Sequence, residues 1–257
     1  MDERVNVLGV GISPLNLPLA VAAIRKAIET RVKGYICVTG VHGVSEAQEN
    51  PEFRAILNDA FLNTPDGMPM VWMGRLKGHR EMSRVYGPDL LLEICRISGQ
   101  TKWRHFFYGG APGVADQLAA SLVQRYPELT VAGTYTPPFR PLTEEEKEDL
   151  RVRVANAKPD IIWVGLSTPK QEAFMAEALP WLDTTLMVGV GAAFDLLSGR
   201  VRQAPRWIQR SGFEWLYRTL QEPRRLWKRY FKNNPLFVGR LFLQVTRLRG
   251  YPLDVRK

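Results

Sequence analysis

Glycines followed by small, polar or charged residues recur in this sequence directly after apolar runs. Loops of that kind suit phosphate binding, because a backbone without Cβ atoms can approach an anion closely and a following helix offers its positive N-terminus. Gly109-Gly110-Ala111-Pro112-Gly113 is one such loop, although its glycines equally suit a tight strand-to-helix turn and lack the spacing of the dinucleotide fingerprint. A second, Gly165-Leu166-Ser167-Thr168-Pro169-Lys170-Gln171-Glu172, opens a helix at Pro169. There Lys170 can neutralise a diphosphate and Gln171 can hydrogen-bond sugar hydroxyls, or the segment is a capped helix start with solvated polar residues. Thr39-Gly40-Val41-His42-Gly43 adds a hydroxyl and an imidazole, the latter as compatible with a structural histidine as with a catalytic one. The loop Gly189-Val190-Gly191-Ala192-Ala193-Phe194-Asp195 ends in a carboxylate that can bind a hydroxyl or cap a helix. Thr64-Pro65-Asp66-Gly67 reads as plain turn chemistry, since Pro, Asp and Gly are residues a β-turn selects.

For these loops to act together, the elements before them must end at one edge. Five apolar runs read as buried parallel strands, at Val5 to Ile12, Tyr35 to Thr39, His105 to Tyr108, Asp160 to Leu166 and Thr185 to Val190. Helical periodicity separates them. Ala20, Ile24 and Ile28 follow an Asn16-Leu17-Pro18 start, Leu118 and Leu122 follow Pro112, and Thr143 with Glu146 forms a capping box ahead of a helix that ends before Pro159. Strand, glycine turn, helix and strand in alternation predict a Rossmann-like α/β fold, a parallel sheet with helices on both faces, over residues 1–199. In such sheets ligands bind outside the carboxyl ends of the strands, where these loops fall.

Residues 200–257 differ. They hold 15 Lys+Arg against 3 Asp+Glu, a net +12, whereas residues 1–199 carry net −3, so the whole excess of the chain's +9 lies in this tail. Its apolar residues, among them Trp207, Phe213, Trp215, Trp227, Phe231 and Phe242, alternate with arginines on helical spacing. That pattern describes an amphipathic element at a membrane interface, apolar face in the headgroup boundary and Arg or Lys on anionic lipid. A helical subdomain packing its aromatic stripe on the sheet fits the same residues, and nucleic acid is the alternative anionic partner.

Several classes are excluded. The 45% hydrophobic and 24% charged composition is that of a globular chain. No stretch of about 18 apolar residues spans a membrane and the N-terminus lacks signal-peptide features, which predicts a cytoplasmic protein, peripheral on the inner face of the plasma membrane. Cys37 and Cys95 sit in apolar runs and read as small core residues in a reducing compartment. His42, His79 and His105 share no ligand spacing with one another or with the cysteines, and Walker and nucleophile-elbow motifs are absent, so no metal and no cofactor is expected.

Taken in order, the blocks Val7 to Ser13, Thr39 to Pro51, Pro65-Asp66-Gly67, Arg84 to Asp89, Tyr108-Gly109-Gly110, Gly165 to Glu172, Gly189 to Gly199, and Ala204-Pro205 through Glu214-Trp215-Leu216-Tyr217-Arg218 to Glu222-Pro223-Arg224 resemble the WecG/TagA/CpsF family, glycosyltransferase family 26. The Pro169-Lys170-Gln171-Glu172 and Glu214 to Arg218 blocks carry the most specific part of the likeness. The resemblance implies an inverting, metal-independent transfer from a UDP-sugar, often of N-acetylmannosamine or its uronic acid, to a polyprenyl-diphosphate-linked saccharide in surface polysaccharide or exopolysaccharide synthesis. It replaces the turn reading of Asp66 by that of general base on the acceptor hydroxyl and makes Thr39 an active-site residue. By the same resemblance Arg84 lines the cleft, Gln171 and its neighbours Gly165, Pro169, Lys170 and Glu172 lie near donor sugar and phosphate, and Arg218, Arg224 and Arg225 of a C-terminal appendage meet the diphosphates. Gly109, Gly110, Gly191, Asp195 and His42 complete the expected substrate contacts. Val41 departs from an asparagine common in the family, which leaves the donor sugar open, and Gln203 preceded by Arg202 replaces the usual arginine before Ala204-Pro205. A nucleic-acid-binding module and a non-catalytic nucleotide-sugar sensor are the rival readings, and a homo-oligomer is compatible with all three.

Overall fold

Apolar runs rich in β-branched and aromatic residues become strands here, and the stretches of helical periodicity between them become helices. The computed structural model describes residues 4–253, apart from the side chains of Arg225 and Arg229. In chain order the elements are β1 (Val5–Val7), β2 (Val10–Ile12), α1 (Leu17–Glu29), β3 (Gly34–Thr39), α2 (Val41–Glu49), α3 (Pro51–Asp59), β4 (Leu62–Pro65), α4 (Met68–Leu76), α5 (Gly87–Thr101), β5 (Arg104–Gly109), α6 (Val114–Arg125), β6 (Thr130–Tyr135), α7 (Glu144–Ala157), β7 (Ile161–Gly165), α8 (Lys170–Ala178), β8 (Leu186–Gly189), α9 (Ala193–Leu197), α10 (Arg206–Ser211), α11 (Glu214–Gln221) and α12 (Pro223–Val245). Six strands form a sheet in the order β4-β3-β8-β7-β5-β6. The pairings of β3 with β8, β8 with β7, β7 with β5 and β5 with β6 are parallel, as the Rossmann-like reading requires.

The expected first parallel strand is instead an antiparallel hairpin of β1 and β2, with Val5 opposite Ile12 and Val7 opposite Val10. Leu8 and Gly9 both adopt positive φ, 53° and 81°, the backbone of a two-residue turn whose twist matches the arms it joins. Apolar residues on both arms and a leucine in the turn hid it. β4 and β6 also escaped the sequence reading. The first is only Leu-Asn-Thr-Pro, and the second is half-exposed along its length, so neither shows a buried apolar run. The capping box is present, with Glu146 N–H donating to Thr143 Oγ1 and Thr143 N–H donating to Glu146.

The chain forms two compact units, one from Met1–Leu17, Val38–Tyr86 and Arg202–Lys257, the other from Pro18–Cys37 and Gly87–Val201. Within the first, the tail is tied to the hairpin. Gln244 Oε1 accepts from Leu8 N–H (3.0 Å), Gln244 Nε2 donates to Asn6 O (3.2 Å), and Asn6 Nδ2 donates to Tyr251 O (2.7 Å). On α12, Leu226, Asn233 and Phe237 are buried on one stripe, and Gln244 continues it. A second stripe roughly a third of a turn away, Trp227, Phe231, Val238, Phe242 and Val245, is exposed. No helix among the described residues is long and apolar enough to cross a membrane.

The second unit buries Trp163, Phe107 and Phe194 along with one histidine. Trp163 Nε1 donates to His105 Nδ1 (2.9 Å), which fixes the tautomer so that His105 Nε2 donates to Ser98 Oγ (2.8 Å), and Ser98 Oγ donates onward to Ile94 O (2.6 Å). Burial pushes the His105 imidazole down from 6.5 to about 3. A depressed histidine contributes stability above its unfolded value, and that contribution is lost as pH falls from about 6.5 toward the folded one. Urea unfolding is therefore expected to show a loss of about 2 kcal/mol between pH 7 and pH 5, and His105→Gln, which cannot titrate, should remove that part of the slope.

Candidate active site

In the first unit, β4 ends where the chain must turn into α4, and Asp66 stands at that turn. Its backbone is fixed on both sides: Asp66 N–H donates to Thr39 O (2.9 Å), and Val85 N–H donates to the carbonyl of the preceding Pro65 (2.8 Å). Gly40 is required by this approach, since a Cβ there would lie 2.8 Å from the Asp66 carbonyl oxygen. Backbone pairing thus brings Thr39, Asp66 and Arg84 together. Arg84 Nε donates to Asp66 Oδ1 at 2.8 Å. The Thr39 hydroxyl is buried and has no hydrogen-bond partner among the described residues.

Two residues that the sequence reading passed over complete the cluster. Glu214, at the start of α11, accepts from Arg84 Nη1 through Oε2 (2.5 Å) and from the Tyr86 hydroxyl through Oε1 (2.9 Å), and the Arg84 guanidinium lies 4.2 Å from the centre of the Tyr86 ring. Burial disfavours the Arg84 charge, but Asp66 and Glu214 outweigh it and raise the guanidinium above its ordinary value. The Tyr86 phenol is also raised, first by burial and then by the Glu214 charge. Both residues sit in blocks that carried the family resemblance, yet only a three-dimensional contact reveals what they do.

The other expected residues of this unit are spread around it. His42 on α2 accepts from Asn233 Nδ2 of α12 (3.1 Å) and lies 3.6 Å from Glu46. Arg218, one turn beyond Glu214 on α11, has a buried Nε without a hydrogen-bond partner among the described residues. Arg224 is exposed at the start of α12, and the Arg225 side chain lies outside the described residues.

In the second unit, the loops after β5, β7 and β8 gather Gly109, Gly110, Gly165, Gln171, Glu172 and Gly191. Gly109, at φ 122°, is so close to β7 that a Cβ would lie 2.7 Å from Gly165 O, and Gly110 N–H donates to that same oxygen (2.9 Å). Gln171 packs against Gly189 and Gly191. It and Glu172 are almost fully buried, with Glu172 Oε1 accepting from Thr168 Oγ1 (2.8 Å) and Gln171 Nε2 (3.0 Å). Gln171 Oε1 and Glu172 Oε2 find no hydrogen-bond partner among the described residues. Pro169 precedes α8, Lys170 is exposed in its first turn, and Asp195 lies half-buried on α9.

This arrangement supplies a carboxylate oriented by an arginine in one unit and unpaired, buried amide and carboxyl oxygens among glycine loops in the other. The sequence matches the Glycosyl transferase WecG/TagA/CpsF family over residues 5–251. It is 32% identical over 198 residues to an N-acetylglucosaminyldiphosphoundecaprenol N-acetyl-beta-D-mannosaminyltransferase of Bacillus spizizenii, covering 77% of this chain and 75% of that protein. A protein of the same name from Bacillus subtilis is 29% identical over 202 residues, covering 79% of this chain and 77% of its own.

Burial raises the Glu172 carboxyl, only partly offset by its hydrogen bonds from Thr168, Gln171 and its own N–H. A raised carboxyl is stabilising below its unfolded value of about 4.5, and this is lost as pH rises through the folded value. Glu172→Gln should therefore raise the melting temperature relative to wild type at pH 8 and lose that advantage at pH 4, as scanning calorimetry at the two pH values will show.

Proposed function

Because the chain belongs to the WecG/TagA/CpsF family of glycosyl transferases, we propose that it transfers a sugar, N-acetylmannosamine-like or another hexose, from a UDP-sugar to a polyprenyl-diphosphate-linked saccharide, with inversion and without a metal. The names of the two relatives support the acceptor class and an N-acetylmannosaminyl group. The observation that carries the reading is the Asp66 carboxylate, fixed through one oxygen by Arg84, with Asp66 N–H bonded to the carbonyl of Thr39. Asp66 takes the proton of the acceptor hydroxyl while that oxygen bonds to the anomeric carbon. The bond from that carbon to the UDP β-phosphate oxygen breaks, its electron pair leaving with UDP, and a single displacement inverts the centre. Thr39 hydrogen-bonds a hydroxyl of the reacting sugar.

The donor is held by the loops after β5, β7 and β8. Glycine backbone suits the diphosphate, Lys170 adds charge, and the unpaired oxygens of Gln171 and Glu172 suit sugar N–H and O–H groups. Arg218, with a buried unpaired Nε, together with Arg224 and Arg225 compensates phosphate charge in place of a metal. Residues 200–257 act as a docking appendage, which puts the protein on the inner face of the plasma membrane. Its net charge of +12 and the exposed apolar stripe of α12 support an anionic bilayer as the surface it meets.

Transfer from a panel of UDP-sugars to a short-chain prenyl-diphosphate amino sugar tests the chemistry. Asp66→Asn is expected to lower the rate by about 10²- to 10⁴-fold with UDP affinity retained, and chelation by EDTA should leave the wild-type rate unchanged. UDP binding without transfer from any donor would favour a sensor, and absence of UDP binding would end the proposal. For docking, Val238→Glu combined with Phe242→Glu should reduce sedimentation with phosphatidylglycerol vesicles at least tenfold while leaving the melting temperature within a degree or two, because both side chains are exposed.

A further inference from the structure

Neither Glu214 nor Tyr86 takes part in the transfer as described, yet both act on the arginine that holds its base. The guanidinium of Arg84 is fixed at three points. Nε donates to Asp66 Oδ1 (2.8 Å), Nη1 donates to Glu214 Oε2 (2.5 Å) and to Gln209 O (3.4 Å), and one face rests on the Tyr86 ring. Glu214 is itself committed through both oxygens, since Oε1 accepts from the Tyr86 hydroxyl at 2.9 Å. Glu214 and Tyr86 are 8% and 6% exposed, so solvent does little to screen or replace these bonds.

Arg84 meets Asp66 from its Nε edge, through Oδ1, while Nη1 on another edge of the same rigid guanidinium is held by Glu214. Because the guanidinium is planar and rigid, the place where Glu214 holds Nη1 sets the direction in which Nε–H meets the carboxylate. A carboxylate held in this way through a single oxygen stays oriented with the other available to accept a proton.

We infer that Glu214 is a positioning residue for the transfer: with Tyr86 as its support, it anchors the Nη1 end of Arg84 and so fixes the direction in which Nε–H holds Asp66 Oδ1, leaving Oδ2 turned to the acceptor hydroxyl. The inference rests on Asp66 being the base. It also gives the C-terminal region a task distinct from lipid or phosphate binding, because the start of α11 acts on the base through one arginine.

The test is steady-state transfer by the full chain carrying Glu214→Ala, in the wild-type and Asp66→Asn backgrounds, with UDP affinity and melting temperature recorded for each. The expected result is a 10- to 100-fold fall in kcat, an unchanged KM for the UDP-sugar, and no further fall when Glu214→Ala is added to Asp66→Asn. Glu214→Gln, which keeps one acceptor oxygen, should recover part of the loss, and it serves with Tyr86→Phe if the alanine variant does not fold. An unchanged kcat, or the same fold-loss in both backgrounds, overturns the positioning role and leaves Asp66 as base. Full transfer by Asp66→Asn alone is a different failure, because it removes the base itself.

Discussion

Arg84 is a mostly buried cation with two carboxylates on it, Asp66 at the end of β4 and Glu214 at the start of α11. A charge in that position has to be paired, because removing one partner of a buried ion pair typically costs about 3–5 kcal/mol. Three segments far apart in sequence are therefore bound to a common arrangement: the strand-to-helix turn at Asp66, the Arg84 to Tyr86 segment and the first turn of α11. Backbone hydrogen bonds make the arrangement stiff. Pro65 O accepts from Val85 N–H, Thr39 O accepts from Asp66 N–H, and Gly40 admits the close approach that a side chain would block. What results is an aspartate whose backbone is fixed by Thr39 and Val85 and whose carboxylate is held by Arg84 through Oδ1.

Buried polar groups in the second unit fall into two kinds, those whose hydrogen bonds are complete and those left with an unmet acceptor. His105 sits in a closed chain from Trp163 through Ser98 to Ile94 O, with each ring nitrogen used once. Nothing there is left for a ligand. Gln171 and Glu172 are equally buried but only half-satisfied, each with one oxygen lacking a partner. An unmet acceptor in a low-dielectric setting costs stability unless something fills it, so this is the part of the unit suited to a polar substrate.

The C-terminal helix carries two stripes, one buried and one exposed. Leu226, Asn233, Phe237 and Gln244 recur on a single stripe and are taken up by the protein, with Asn233 on His42 and Gln244 on the β1–β2 hairpin. Trp227, Phe231, Val238, Phe242 and Val245 recur on another and stay exposed. Its apolar character, among arginines, is the observation behind the proposed docking to an anionic bilayer.

Much of the framework was legible in the sequence because it is local. Apolar runs of four to seven residues, most of them ending at glycine, announced β3, β5, β7 and β8, helical spacing and the Thr143–Glu146 box announced helices between them, and the charge of the tail showed directly in its composition. The hairpin at Leu8-Gly9 and the strands β4 and β6 did not show, since a turn inside an apolar run and a short or half-exposed strand leave no periodic signal. Asp66 illustrates the division most clearly. By residue type and spacing Pro65-Asp66-Gly67 is a turn, and a turn it is, while the family resemblance singles out its carboxylate. That the carboxylate is held by Arg84, and Arg84 in turn by Glu214 across 130 positions of sequence, was decided by the tertiary structure alone. Hydrogen bonds and ion pairs reach only about 3 Å, so a contact between distant residues exists only once the chain has folded to bring them within that range.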